Sequence, residues 1–226
     1  MRAVLTLDIR GLASAVVLGV LLFLLGKGNG PLFLFSMLLF LVASAIVTTA
    51  KSSRKKAMNV HETERGWRNV WANGVVPLFI AALYFIISSY SGYSGPAIIV
   101  AYLAGVAAIT ADKFSSELGV LDRRAFMLLS GEKARPGVSG AVSLLGLAVG
   151  LVASIIIAGA FSFAYSFSVA IFLIVTGSGF VGDVVDSAFG YFEEKGIGNK
   201  FTTNVLCGAS AALLALVLYG LLVGLI

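Results

Sequence analysis

The sequence predicts an all-α fold, a polytopic membrane helical bundle of about seven transmembrane helices. Three observations carry this expectation. Hydrophobic residues fill 59% of the 226 positions and charged residues only 12%, where a soluble domain carries about a quarter charged. The apolar residues fall into runs near the ~17–25 residues that cross a bilayer. The charged residues collect in the few polar segments between those runs. The net charge of +5 therefore reports membrane orientation and excludes a nucleic-acid partner. The one cysteine, Cys207, lies inside an apolar run and supports no disulfide framework.

In chain order, the first apolar run covers residues 12–25, after a polar segment at 1–10. No small-residue cleavage site follows it, and a second run begins after only GKGNGP, so it is read as a span and not as a signal peptide. Gly28, Asn29, Gly30 and Pro31 form the turn. The second span is 32–50, followed by the longest polar stretch, 51–74, with KSSRKK and then HETERGWRNVWANG. Spans three and four are 75–90 and 96–111, joined by SGYSGP. The polar loop 119–136 leads to span five, 137–160. Span six is 164–182, and the loop 183–203 leads to span seven, 204–226. The whole chain, 1–226, is one integral membrane domain.

This arrangement has a sidedness. Of the 16 Lys and Arg residues, all but Lys27 fall on the side of the amino terminus and the long loops. By the positive-inside rule that side is cytosolic, which leaves the carboxyl terminus outside. The acidic residues played no part in the assignment, yet all 11 fall on the same side, as does His61. Chemistry is expected at the cytosolic face.

Two stretches concentrate that chemistry. TADKFSSELG (110–119) and GDVVDSAFG (182–190) share the pattern D-x-x-[S/D]-S-x-x-G. Offsets of 0, 3, 4 and 7 fall on one helical face. Asp112, Ser115, Ser116 and Gly119 form one such face, and Asp183, Asp186, Ser187 and Gly190 the other. Carboxylates at membrane depth mark function, although a short polar helix end kept for packing gives the same pattern. If spans four and six end here, their carboxylates face a negative helix terminus and need a cation. Lys113 can pair with Glu117 at i,i+4, whereas no basic residue lies within a turn of Asp183 or Asp186. Mg2+ suits such a set. The candidate metal ligands are Asp112, Glu117, Asp183 and Asp186, and Asp112, Asp183 and Asp186 are the candidate catalytic groups.

Spans three, five and seven start on the same side and offer free N–H groups. At span five, Lys133, Arg135, Pro136, Gly137, Ser139, Gly140 and Ser143 suit an anion at a helix start. A basic loop before a packing helix, with Gly146 and Gly150 as a G-x-x-x-G surface, explains the same residues equally well. Trp67 and Trp71 read as an interfacial anchor, from which Arg68, Asn69 and Asn73 can reach a headgroup. The aromatics between Phe161 and Phe172 read as lipid-facing, and His61 as a solvated loop residue. No Walker A motif, H-E-x-x-H or dinucleotide fingerprint is present.

At these residues the chain resembles the phytyl-phosphate kinase family, integral membrane proteins that include the vitamin E pathway enzyme of plants and cyanobacteria and have archaeal and animal members. TADKFSSELG is similar to the family's TADTWASEIG-type motif. RPGVSGAVSLLG is similar to its P-G-T-x-G-G-V-S-x-x-G segment, RNVWANG to Q-V-L-A-N-G, and GFVGDVVDSAFG to G-x-x-G-S-x-x-D-S-x-x-G. FTTNVLCG resembles its final asparagine-bearing helix start. These matches run in order from Arg68 to Gly208. Lys113, Val138, Ser139 and Ala141 depart from the family pattern, which bears on substrate identity more than on membership.

The resemblance implies a nucleotide-dependent kinase that converts a prenyl monophosphate, of phytyl or geranylgeranyl type, to the diphosphate. Mg2+ is the expected cofactor, and CTP or another nucleoside triphosphate the donor. The phosphate-binding set is then Arg68, Asn73, Ser115, Ser116, Lys133 and Arg135, with Gly137, Ser139, Gly140 and Ser143, and with Ser187, Lys200 and Asn204. Membrane lipid, prenyl phosphate and nucleotide are the expected partners, the plasma membrane is the expected location, and a homo-oligomer stays open. One alternative is a cytidylyltransferase of lipid phosphates, which GDVVDSAFGYFEEKGIGNK distantly resembles without the K-R pair. Another is a cation-coupled transporter or lipid flippase, which predicts important groups near the midplane or on both faces.

Overall fold

The computed structural model describes residues 6–50, 66–91, 95–165 and 168–223. The KSSRKK run, His61 and the turn around Ser94 lie outside them. The described residues form a polytopic all-α bundle with α1 (Ile9–Leu25), α2 (Gly30–Thr49), α3 (Trp67–Tyr90), α4 (Pro96–Gly119), α5 (Leu144–Tyr165), α6 (Val169–Glu194) and α7 (Lys200–Leu222). Six helical segments are long and apolar enough to cross a membrane, and α1 is a shorter apolar helix.

The axis of the bundle is α4. Every residue from Ile99 to Asp112 is buried, and α2, α3, α5, α6 and α7 all pack against it. Its sequence explains why. Ala101, Ala104, Gly105, Ala107, Ala108 and Ala111 are small, so neighbouring backbones approach closely, as membrane helices require when no hydrophobic force drives them together. Phe33 of α2 stacks on Tyr102 with ring centroids 4.0 Å apart. The Tyr102 hydroxyl donates to the Phe33 carbonyl at 2.8 Å, which satisfies a polar group buried at the axis. Phe161, expected to face lipid, is instead buried against Phe35.

The helix ends differ from the hydropathy pattern in one direction. Helix α3 begins at Trp67 rather than 75, α4 continues to Gly119 rather than 111, α6 runs to Glu194 rather than 182, and α7 starts at Lys200 rather than 204. At this end of the bundle the helices extend beyond their apolar runs because their polar residues face one another. Helix α5 departs the other way. It starts at Leu144 rather than 137, and residues 120–143 form a loop held by a short antiparallel pairing of Phe126–Met127 with Ala141–Val142. Gly137 and Gly140 have φ of 90° and 78°, which a right-handed helix does not admit. The anion site expected at a helix start over Gly137–Ser139 is therefore a turn. Ser143 caps α5 instead, its hydroxyl accepting from the Gly146 N–H at 3.1 Å and donating to the Gly119 carbonyl at 2.9 Å.

Candidate functional site

The two D-x-x-[S/D]-S-x-x-G faces meet. Asp112 on α4 and Asp183 and Asp186 on α6 are all buried, at 7%, 1% and 5% exposure. The Ser115 hydroxyl of the first motif donates to Asp183 Oδ1 of the second at 2.7 Å. Lys200 Nζ, from the start of α7, lies 3.0 Å from Asp186 Oδ2 and 3.8 Å from Asp112 Oδ1. Two corrections follow. The cation missing from the sequence neighbourhood of Asp186 comes from the next helix. The aspartates also stand well inside their helices, because α4 runs on to Gly119 and α6 to Glu194. The macrodipole acts only near the last turn, so burial, and not the helix end, is what makes these charges costly.

The glycines of the pattern have a separate role. A methyl group on Gly119 would lie 2.9 Å from Gly146 Cα, and one on Gly190 would lie 2.8 Å from Gly140 Cα. The segment from Gly140 to Gly146 therefore lies backbone to backbone against the end of both motifs. Both contacts are tighter than a side chain allows. Gly150, one turn further along α5, leaves the room that Asp183 Oδ2 occupies. The glycine surface of α5 is thus a packing surface that shapes an acidic site.

These elements enclose a cavity of about 560 Å³ at one end of the bundle. Its wall includes Asp112, Asp183, Asp186 and Lys200, the serines Ser115, Ser116, Ser139, Ser143 and Ser187, and Gly137, Gly140, Asn73 and Asn204. Three expected phosphate-binding residues are not part of it. Arg68 lies over the Trp67 ring at 5.5 Å, while Lys133 and Arg135 are exposed on the loop beside the cavity. The interfacial pair is also split, since Trp67 is exposed but Trp71 packs on the core.

Several partners had no local signal. Glu117 is buried and, beside the expected i,i+4 partner Lys113 Nζ at 2.7 Å, receives the Thr48 hydroxyl at 2.8 Å, which ties α2 to α4. Glu194 accepts from the Ser139 N–H at 3.0 Å, and Glu193 from the Ser139 hydroxyl at 3.1 Å. The turn donors expected to meet phosphate thus hold carboxylates. Asn204 donates to Asn73 Oδ1 at 3.3 Å, and Asn73 to the Asn69 carbonyl at 2.8 Å, which lines one wall with amides. Asp122, on the loop, has its carboxyl held below the usual range, first by the Arg124 N–H and further by the Arg124 guanidinium.

The residues present can be tested against Mg2+. Buried Asp183 Oδ2, Asp186 Oδ1 and Asn204 Oδ1 have no hydrogen-bond partner among the described residues. They are hard oxygen donors, and Mg2+ commonly takes one or two carboxylates and leaves its other positions to water and substrate phosphate. Among the described residues, no group of three or more His, Cys, Asp or Glu side chains is arranged to hold a metal ion. The four carboxylates expected as ligands therefore do not close into one set. Glu117 is engaged by Thr48 and Lys113, and Asp112 by Lys200. An ion that shares its shell with a phosphate fits the residues; a closed protein cage does not.

Fold and site together define a polytopic helical membrane protein with an acid-lined cavity at one end of its bundle. The chain belongs to the integral membrane protein family described as DUF92, whose model matches residues 2–206. It is 29% identical over 215 residues to an uncharacterized membrane protein of Methanocaldococcus jannaschii, covering 94% of this chain and 86% of that one. No solved structure matches it.

Proposed function

We propose that this protein is a Mg2+-dependent prenyl-phosphate kinase that uses a nucleoside triphosphate, CTP first among them, at the cytosolic face of the plasma membrane. The amino terminus is cytosolic and the carboxyl terminus outside. The observation that carries this reading is the pair of buried, unpartnered carboxylate oxygens, Asp183 Oδ2 and Asp186 Oδ1, beside a cavity that also presents Lys200 and several serines. A buried carboxylate oxygen without a partner is costly, and a divalent cation relieves that cost. The resemblance to phytyl-phosphate kinases adds the substrate class.

Phosphoryl transfer needs positioning and charge neutralisation more than a protein nucleophile. An oxygen of the prenyl phosphate attacks the terminal phosphorus of the donor, and the bond from that phosphorus to the bridging oxygen breaks. The nucleoside diphosphate leaves. Asp183 and Asp186 would hold Mg2+, which when bound neutralises charge on the phosphate oxygens. Lys200 and the serines Ser115, Ser116 and Ser187 orient the phosphates. The amides of Asn73 and Asn204 give neutral contacts. The cavity of about 560 Å³ falls within the ~300–1,000 Å³ of small-molecule sites. The clustering of these groups at one end of the bundle favours an enzyme over a transporter, whose ion path would cross the midplane.

The test is direct. Purified protein is incubated with prenyl monophosphates, Mg2+ and each nucleoside triphosphate in turn, and the lipid products are resolved. Prenyl diphosphate is the expected product. A nucleotidyl lipid would select the cytidylyltransferase instead. Substrate recovered unchanged under every condition would end the enzyme reading.

A further inference from the structure

We propose that Lys200 is an exchangeable cation: it neutralises Asp112 and Asp186 while the cavity is free of a divalent ion, and passes to an anionic phosphate when that ion binds. This rests on the carboxylate site proposed above and adds the order in which its charges are satisfied. Four observations carry it.

Lys200 Nζ bridges two helices, lying 3.0 Å from Asp186 Oδ2 on α6 and 3.8 Å from Asp112 Oδ1 on α4. The carboxylates and the lysine differ in accessibility. The side chains of Asp112 and Asp186 are 10% and 7% exposed, whereas that of Lys200 is 51% exposed. The ammonium thus reaches the buried acids on a long, half-exposed stem that comes in from the rim.

The charges also do not balance. Ionised, Asp112, Asp183 and Asp186 together outnumber the single ammonium of Lys200 by two. Lys200 satisfies one oxygen of Asp186, yet Asp186 Oδ1 and Asp183 Oδ2 stay buried without a partner. A divalent ion would satisfy these oxygens, and the ammonium already present would compete with it for Asp186.

Last, Lys200 is the first residue of α7, at the positive end of that helix. A lysine there is unfavourable unless acids hold it. Neutralising Asp186 with a divalent ion removes its best partner. A phosphate entering the cavity, whose wall includes Lys200, then meets the released ammonium. Lys200 is in this sense a positioning residue. It holds the acids apart from solvent until the divalent ion arrives, and then guides the phosphate toward it.

Because the exchange makes opposite demands on one side chain, it can be read without any turnover assay. Binding of Mn2+, the paramagnetic substitute for Mg2+, is measured by electron paramagnetic resonance on the detergent-solubilised full chain. Inorganic pyrophosphate is then titrated in at saturating Mn2+. Lys200→Gln removes the competing charge and is expected to tighten Mn2+ by about tenfold, since a unit positive charge beside the ligands both repels the ion and occupies Asp186. The same variant should weaken pyrophosphate by about tenfold or more. Lys200→Arg retains the charge and can grip a carboxylate with two N–H groups, so its Mn2+ affinity should match or fall below that of the natural protein. Asp186→Asn should lose Mn2+ in every background.

Weaker or unchanged Mn2+ binding in Lys200→Gln would overturn the exchange and make Lys200 a structural fixture. Mn2+ binding that survives Asp186→Asn would overturn it by placing the ion elsewhere. Absence of Mn2+ binding in all variants would overturn it together with the metal part of the proposed function. A protein that shows the exchange but phosphorylates no prenyl phosphate would uphold it while ending the kinase reading.

Discussion

Gly190→Ala and Gly177→Ala are the same substitution in the same helix, and they should have opposite effects. A methyl group on Gly177 has no neighbour within 4 Å, whereas one on Gly190 would lie 2.8 Å from Gly140 Cα and 2.9 Å from Ser139 Oγ. Both variants gain the intrinsic helical advantage of alanine, about 1 kcal/mol. Only Gly190→Ala must also push the 137–141 turn away from α6. The obstacle is backbone, so no side chain can rotate aside, and overpacking of this kind costs about 1–3 kcal/mol. The shift would also strain the hydrogen bonds from Ser139 to Glu193 and Glu194, which span that contact. The two variants should therefore differ by about 1–3 kcal/mol, or roughly 2–12 °C in Tm at about 2–4 °C per kcal/mol for a chain of this size. Thermal unfolding in one detergent, followed by near-ultraviolet circular dichroism, reads the difference. Trypsin cleavage after Lys133 should also accelerate in Gly190→Ala alone. Equal Tm values and equal cleavage rates would refute the backbone-to-backbone packing of the two segments.

Two further outcomes follow from the fold and site. Cys207 is the only cysteine and is buried, so Ser130→Cys and Gly28→Cys can each be labelled alone in the natural background. Ser130→Cys should react only from the cytosolic side and Gly28→Cys only from outside, and reaction of both from one side would reject the orientation. Gly150→Ala places a methyl group against Asp183 Oδ2. It should weaken Mn2+ binding by about tenfold or more, since a 1 Å displacement near chemistry can cost about 10²-fold. Unchanged affinity would mean that Asp183 does not face the ion.

The helix inventory and the two acidic faces were legible in the sequence, and the reason is local. Asp112, Ser115 and Gly119 repeat at helical offsets that Asp183, Asp186 and Gly190 nearly copy, so each helix had one marked face before any contact was known. Helix ends were not legible. Hydropathy tracks contact with lipid, and Ser115 to Glu117 and Asp186 to Glu194 continue their helices around a polar cavity, where lipid is absent. The start of α5 was misplaced because Pro136 and Gly137 look like a helix opening. Gly137 and Gly140 instead have positive φ, and Gly140 lies against Gly190 of α6, a contact no local pattern announces. Long-range partners left no trace either. Thr48 reaches Glu117 across 69 positions, and Ser139 reaches Glu194 across 55. Lys200 was a candidate only within the phosphate-binding set that the resemblance implies, and its bridge between Asp112 and Asp186 depends on three helices packing together.

The proposal is that Asp112 and Asp186, which share Lys200, act as one unit in phosphoryl transfer. It is tested most directly by following the terminal phosphate of a radiolabelled nucleoside triphosphate into prenyl diphosphate, in the natural protein and in Asp112→Asn, Asp186→Asn and the double variant. Asparagine keeps the shape of each side chain and removes its charge, so folding in the membrane should persist, as a matched Tm would verify. Each single variant should lose about 10²–10³ in kcat, the typical cost of deleting one preorganised electrostatic group. The double variant should lose little more, because groups that act together are not additive. Full activity in either single variant, or losses that simply multiply in the double, would contradict the claim.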